Sequence, residues 1–184
     1  MLNVNFDPFP VLTTERLVLR QMTAADANEV FFFRSDDVVM KYIGRAKAQT
    51  LEEAVNWLAM VNDRLVKNEG ICWAITLKGD PKMIGNISFW RMEKEHYRAE
   101  VGYVMHPDHY GKGIMSEALQ TILDYGFNTI KLHSVEANID PENTRSKNLL
   151  ERNGFIREAY FKENFFFDGV FYDSAIYSLL APVK

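Results

Sequence analysis

The run Val101-Gly102-Tyr103-Val104-Met105-His106-Pro107-Asp108-His109-Tyr110-Gly111-Lys112-Gly113-Ile114-Met115-Ser116-Glu117-Ala118-Leu119-Gln120 reads as a strand, a glycine loop and a helix in immediate succession. Gly111 and Gly113 lack a Cβ, so the backbone there can turn through positive φ and bring successive N–H groups against a ligand. Those groups fall at the start of a helix, where the macrodipole favours an anion, and Lys112 adds a positive charge. Such a loop either cradles phosphates or merely turns a strand into a helix. A Walker A loop is excluded, because Lys112 is followed by Gly113 where a Ser or Thr magnesium ligand belongs. A dinucleotide fingerprint fits poorly: Ser116 stands where its third glycine should be, and the loop lies past mid-chain with no room for a second βαβ half.

Working outward, residues 99–105 are the strand entering the loop, and the charged stretch 91–98 before them reads as an exposed turn. Residues 71–77 and 83–90 are strand-like and joined by Lys78-Gly79-Asp80-Pro81, which is hairpin turn chemistry. Earlier still, 15–20 alternates as a first strand, and Thr23-x-x-Asp26 opens a helix through Phe33. Thr50-x-x-Glu53 is a capping box for a second helix, whose inner stripe is Leu51, Ala54, Val55, Leu58, Val61 and Leu65 until Glu69-Gly70 ends it. After the loop a helix runs over about 114–128, and 134–139 is a strand. Asn143 caps a helix over 144–153 that Asn153-Gly154 closes, and 155–167 with 170–179 flank an Asp168-Gly169 hairpin turn. The order β α α β β β α β α β β predicts one α/β domain spanning residues 1–184.

With 184 residues, 25 acidic and 21 basic side chains, a net charge of -4 and 47% hydrophobic residues, the chain has the make-up of a soluble globular domain. The slight acidity leaves no basic face for nucleic acid, while amine ligands would not be repelled. A lone Cys72 makes no internal disulfide, and His96, His106, His109 and His133 show no metal-ligand spacing, so no metal is expected. The N-terminus, with Asp7, Pro8 and Pro10, is no signal peptide, and no apolar run reaches the ~18 residues of a membrane span. A cytoplasmic protein, free of membrane and nucleic acid partners and either a monomer or a homodimer, is expected.

The segment from Tyr103 to Leu119 resembles the acetyl-CoA pyrophosphate motif [QR]-x-x-G-x-[GA] of the GNAT acetyltransferases. Asn143-Thr144-Arg145-Ser146-Lys147-Asn148-Leu149-Leu150-Glu151-Arg152-Asn153-Gly154-Phe155 is similar to the family's N-x-x-S-x-x-x-x-E-x-x-G-F helix. Thr14-Glu15-Arg16-Leu17-Val18-Leu19-Arg20 and Ala99-Glu100-Val101-Gly102-Tyr103 resemble the branch named for ribosomal-protein N-terminal acetyltransferases. Two departures stand out: Asp108 occupies the Gln/Arg position, and Leu150 the place of a tyrosine that many members use as an acid.

The resemblance implies a mixed, mostly antiparallel twisted sheet with helices on both faces, splayed between its fourth and fifth strands to admit the pantetheine arm of acetyl-CoA. On that pattern Tyr103, Val104 and Met105 offer backbone contacts, and Tyr110, Gly111, Lys112, Gly113, Ile114, Met115 and Ser116 cradle the pyrophosphate. Asn143 and Ser146 reach the pantetheine amide or the sulfur, though Asn143 equally reads as a plain N-cap. The implied reaction is direct transfer of acetyl to a primary amine without metal or covalent intermediate. Glu100 is the general base through water or, alternatively, an ion-pair partner of Arg91 or Arg98. Met105 N–H is the oxyanion donor and Ser146 the nearest substitute for the missing acid. An α-amine with pKa ~7.7–8.0 is far easier to deprotonate than a lysine at ~10.4, which favours a protein N-terminus over a polyamine, amino sugar or antibiotic. A non-catalytic acyl-CoA-binding module is the competing class. Phe165, Phe166 and Phe167 either wall the acceptor site or pack into the core, and Cys72 reads as a buried strand residue.

Overall fold

The computed structural model describes residues 1–182. Among them, strands β1 (Leu12–Thr13), β2 (Leu17–Gln21), β3 (Ile71–Leu77), β4 (Met83–Glu93), β5 (Arg98–Met105), β6 (Ser134–Ile139), β7 (Ile156–Phe167) and β8 (Val170–Leu180) form an eight-stranded sheet in the order β1-β2-β3-β4-β5-β6-β8-β7. The helices are α1 (Ala27–Ser35), α2 (Asp37–Met40), α3 (Leu51–Val66), α4 (Ile114–Asp124) and α5 (Thr144–Arg152). None is long and apolar enough to cross a membrane.

Side chains alternate across a strand, so each strand feeds two faces. On one face Leu17, Leu19, Trp73, Ile75, Ile87 and Val101 meet Ile114, Ala118, Leu119 and Ile122 of α4 and Leu150 of α5. On the other, Ala74 and Met83 meet Val30 and Phe33 of α1 and Ala54 of α3. Helices therefore cover both faces, which is why β3 is buried almost throughout instead of alternating. Each large apolar side chain fully buried in this way contributes about 1.5–3 kcal/mol. Trp73 anchors the first cluster, with edge-to-face contacts to Phe89 at 6.0 Å and Tyr125 at 5.8 Å. Its Nε1–H donates to the Pro10 carbonyl at 2.8 Å.

Neighbouring strands are antiparallel except β5 and β6, which are parallel and pair only over Arg98–Glu100 against Ser134–Glu136. Beyond Glu100 they part. The expected split between the strands on either side of the glycine loop is thus present, and α4 makes the crossover between them.

Several expected boundaries move, each for a local reason. The first strand is Leu17–Gln21, preceded by the two-residue β1. A short α2 follows α1, nucleated by Asp36, whose Oδ1 accepts from Val38 N–H and Val39 N–H. On α3 the expected inner residues Leu51 and Val55 are 45% and 48% exposed. That helix docks on a narrow stripe centred on Ala54 and Val61, so the outer edges of its apolar arc stay in water. The helix after the loop is α-helical to Asp124 and then widens into a π turn over Tyr125–Thr129. Gly126 sits there against Phe89, whose ring would be 2.8 Å from a Cβ. The charged stretch 91–98 begins as the end of β4 and turns only at Lys94–His96. Finally, Phe165 and Phe166 are 41% and 60% exposed. They lie on the outermost strand β7, with no further strand or helix to bury them, so core packing does not account for them.

Gly85 on β4 sets the close approach of β4 to β5, because a Cβ there would stand 2.6 Å from the Val104 carbonyl and 3.1 Å from Met105 Cα. Both obstacles are backbone and cannot swing aside. Gly85→Ala is expected to cost about 1–3 kcal/mol by overpacking. In thermal unfolding that reads as a fall in Tm of roughly 2–4 °C per kcal/mol. An unchanged Tm would mean that the two strands have slack at this point.

Candidate active site

Where β5 and β6 part, a cleft of about 540 Å³ opens between β5, the glycine loop, α5 and the segment after α1. Of the residues singled out in the sequence, Tyr103, Val104, Met105, Tyr110, Gly111, Gly113, Ile114, Met115, Ser116, Asn143 and Ser146 all border it. Lys112 and Glu100 do not. Lys112 points outward as an exposed side chain, and Asp108 is likewise exposed.

The strand β5 presents a free edge to this cleft. His106 N–H donates to the Ile84 carbonyl at 2.8 Å, so the even-numbered residues here bond to β4. Peptide groups alternate in direction along a strand, which turns the N–H and C=O of Tyr103 and the N–H of Met105 toward the edge that β6 has left. Val104 instead bonds toward β4, although it too borders the cleft.

The loop itself is held from a distance. Gly111 and Gly113 adopt φ of 73° and 74°, so both occupy the left-handed region that only glycine enters readily. Gly113 then serves as the N-cap position of α4, leaving the first N–H groups of that helix facing the cleft. Arg16, at the start of β2, donates from its Nη1 to the Lys112 carbonyl at 3.0 Å and from its Nε to Glu117 Oε2 at 2.6 Å. Thr14 Oγ donates to the other oxygen of the same carboxylate. Burial by itself would raise the Glu117 carboxyl, but these bonds hold it below the ordinary range, so it stays charged. The N-terminal Thr14-Glu15-Arg16 segment is therefore a clamp on the loop.

On the α5 side, Asn143 Oδ1 accepts from Ser146 N–H at 3.1 Å, which is N-capping, while the side chain still borders the cleft. Ser146 is buried, and its Oγ lies 2.5 Å from the Tyr103 hydroxyl. Burial pushes the Tyr103 phenol up to about 12, with the Ser146 contact pulling the other way. Ser116 Oγ and the Asn153 amide bond to each other at 3.0–3.1 Å, joining α4 to α5 across the cleft floor. Leu150 is fully buried in the core and does not border the cleft, whereas Leu149 does. Arg145 stacks over the Tyr110 ring at 4.6 Å, a cation beside the glycine loop whose place depends on a partner 35 residues away in sequence. Val38, Val39, Tyr42 and Ile43 on and after α2 also border the cleft. No local signal marked them, because their segment carries no turn or motif pattern.

Glu100 lies on the opposite face of β5 from Tyr103, in register with Glu136 of β6. Burial pushes its carboxyl above the ordinary carboxylate range; Arg91 pulls it down and Glu136 adds to the rise. The contact to Arg91 is 3.3 Å, but Arg91 is 67% exposed, so water screens the pair. Arg98 is occupied by Glu136 instead. After α2 the chain turns at Gly44, against which Phe165 of the β7–β8 hairpin is packed so closely that a Cβ would meet its ring at 2.5 Å. Cys72 is buried on β3 with its thiol pushed up to about 12 by that burial, as befits an inert core residue.

The same architecture recurs in known proteins. A family model for the acetyltransferase (GNAT) domain matches residues 16–156. The uncharacterized N-acetyltransferase p20 of Bacillus licheniformis is 37% identical over 139 residues, which span 76% of this chain and 78% of that protein. A GNAT-family acetyltransferase from Bacillus anthracis superposes with a TM-score of 0.83 at 32% identity, covering 94% of this chain and 99% of its own. The ribosomal-protein-S5-alanine acetyltransferase from Vibrio fischeri (TM-score 0.82, 22% identity, 94% of this chain and 97% of that one) shares the fold. So does the spermidine N-acetyltransferase from Vibrio cholerae, solved with CoA and spermine (TM-score 0.80, 23% identity, 91% and 97%). With the family match running from the Arg16 clamp through the glycine loop to the end of α5, this chain belongs to the GNAT family and is an acetyl-CoA-dependent N-acetyltransferase.

Proposed function

We propose that this enzyme acetylates the α-amine of a protein or peptide N-terminus, with Glu100 as base, Met105 N–H as oxyanion donor and Ser146 beside the sulfur. The observation that carries the cofactor side is the parted edge of β5 ending in a glycine loop at a helix N-terminus. The free N–H and C=O groups of Tyr103 and Met105 suit an amide-bearing arm, and the amides of 111–116 suit a pyrophosphate. Acetyl-CoA supplies the activated acyl group. The chain's task is to hold it, to take a proton from the amine, and to stabilise negative charge on oxygen and sulfur.

The acceptor class follows from charge. A polyamine needs several free carboxylates, yet Glu136 is occupied by Arg98, and Glu100, raised by burial, gives up its proton less readily than an ordinary carboxyl. Arg45, next to Gly44, adds a further positive charge felt at Glu100. Deprotonation points the same way: at pH 7 an α-amine is about 10–20% neutral and an alkylamine of pKa ~10.4 about 0.04%. The acceptor test offers the enzyme ribosomal-protein N-terminal peptides, spermidine and an aminoglycoside, read by mass increase. Peptide α-amines are expected to show at least a tenfold higher kcat/KM than spermidine, with Arg45→Glu narrowing that gap. A wild-type preference for spermidine would overturn the reading.

The cradle is tested by Gly113→Val. A branched residue at φ near 74° is strained, while the nearest atom to its Cβ, Arg16 Nη2 at 3.6 Å, leaves ordinary room. The variant is therefore expected to fold but to lose thermal stabilisation by acetyl-CoA. Retained stabilisation would remove the loop from the binding site.

The base is tested through pH. Glu100 works only when ionised, and burial raises its pKa, so the acidic limb of the kcat/KM profile is expected above the ordinary carboxylate range. Glu100→Gln should lower kcat about 10²-fold and leave acetyl-CoA binding intact. The sign for stability is opposite: a carboxyl whose folded pKa is raised stabilises the fold only while protonated and loses that contribution as pH rises through the folded pKa. Glu100→Gln should therefore not lower Tm at pH 7. A fall in Tm with activity unchanged would make Glu100 a structural ion-pair residue.

A further inference from the structure

We infer that Tyr103 is a positioning residue whose hydroxyl turns the Ser146 hydroxyl toward the departing sulfur. The inference rests on the proposed place of Ser146 beside the acyl thioester. The two oxygens are 2.5 Å apart, so one proton lies between them. A phenol is much the stronger acid and an aliphatic hydroxyl the better acceptor, so Tyr103 donates and Ser146 accepts. Burial holds the phenol near 12, and it stays protonated throughout the working range.

With its acceptor side taken by Tyr103, the Ser146 O–H must aim its own proton elsewhere. No protein acceptor for that proton lies within hydrogen-bond distance among the described residues, and the remaining direction is the cleft that Ser146 borders. The backbone cannot carry the hydroxyl away either, since Asn143 Oδ1 holds the Ser146 N–H at 3.1 Å. In the reaction the acceptor nitrogen bonds to the acyl carbon, and the carbon–sulfur bond breaks with its electron pair going to sulfur. The proton lost by the amine passes through water to Glu100. Ser146 keeps its proton and donates a hydrogen bond to the thiolate, so no tyrosinate forms. Leu150, buried and without a hydroxyl, has no part in this arrangement.

The test uses Tyr103→Phe, Ser146→Ala and the double variant. With the best acceptor, each single change is expected to lower kcat about tenfold while KM for acetyl-CoA stays within twofold, because the bond strengthens only as charge reaches sulfur. In the Ser146→Ala background Tyr103→Phe should cost nothing further. Additive losses, or a change in KM alone, would overturn the inference. A second readout needs no acceptor: the thiol of bound CoA is titrated by its thiolate absorbance. A hydroxyl aimed at sulfur lowers that pKa in the wild type, and both single variants should raise it equally. If the wild type transfers no acetyl but the thiol pKa responds in this way, the acceptor chemistry fails and the positioning role stands. If the pKa is the same in all three proteins, or CoA does not bind, the positioning role fails.

Discussion

A parallel pair of strands that separates after three residues leaves backbone N–H and C=O groups without partners, and the rest of this molecule is arranged around that defect. An unpaired peptide group costs about 1–3 kcal/mol when buried, so a seam of this kind persists only if the groups face water or a ligand. Here they face a cleft. Beyond the short ladder at Arg98–Glu100 the seam is bridged by side chains: Tyr103 on β5 meets Ser146 on α5, and Ser116 on α4 meets Asn153 just after α5. These contacts tie α5 to β5 and α4 while leaving the edge of β5 open.

The period of two along β5 then divides the labour. Tyr103 turns to the face covered by α4 and α5, and Glu100, three residues earlier, to the face covered by α1 and α3. In a continuous sheet two such groups would be separated by the full thickness of the backbone layer. Here the sheet is parted immediately after Glu100, so that layer is interrupted next to the carboxyl. If Glu100 and Ser146 have the roles proposed above, a base on one side and a hydroxyl pair on the other act on the same few atoms. The charge environments of the two carboxyls differ: Glu100 is half-buried beside another carboxylate and its pKa is raised, while Glu117 is held below the ordinary range by Thr14 and Arg16, which it ties to the loop.

The order of elements was legible because helices and strands announce themselves locally. Thr50 and Asn143 cap helices, Asp168-Gly169 turns a hairpin, and Gly111 and Gly113 mark positive φ, all within a few residues of sequence. What stayed hidden depends on distant partners. The exposure of Leu51 and Val55 is decided by the narrow stripe of sheet that α3 finds beneath it. The exposure of Phe165 and Phe166 reflects β7 being the last strand of the order. Tyr103 looked like any aromatic strand residue, with its backbone of interest and its hydroxyl not, because its partner lies 43 residues away in sequence. The parting of β5 from β6 leaves no mark in either strand. It came only through resemblance to a family.

The glycine loop shows how a local motif and a distant one divide a single task. Around Gly111 no atom lies within 4 Å of a notional Cβ, and around Gly113 only an ordinary contact does, so neither glycine is required for space. What they provide is φ, the left-handed turn that points amides one way. A turn rich in glycine is also entropically loose, and an anion site assembled from a loose loop would lose affinity to the ordering it must undergo on binding. Arg16 removes that looseness by gripping the Lys112 carbonyl and the first turn of α4 together, from a strand start some 96 residues upstream. The conformational freedom that lets the loop adopt its shape, and the clamp that holds that shape, are thus written in separate parts of the chain, and the proposed cradle needs both.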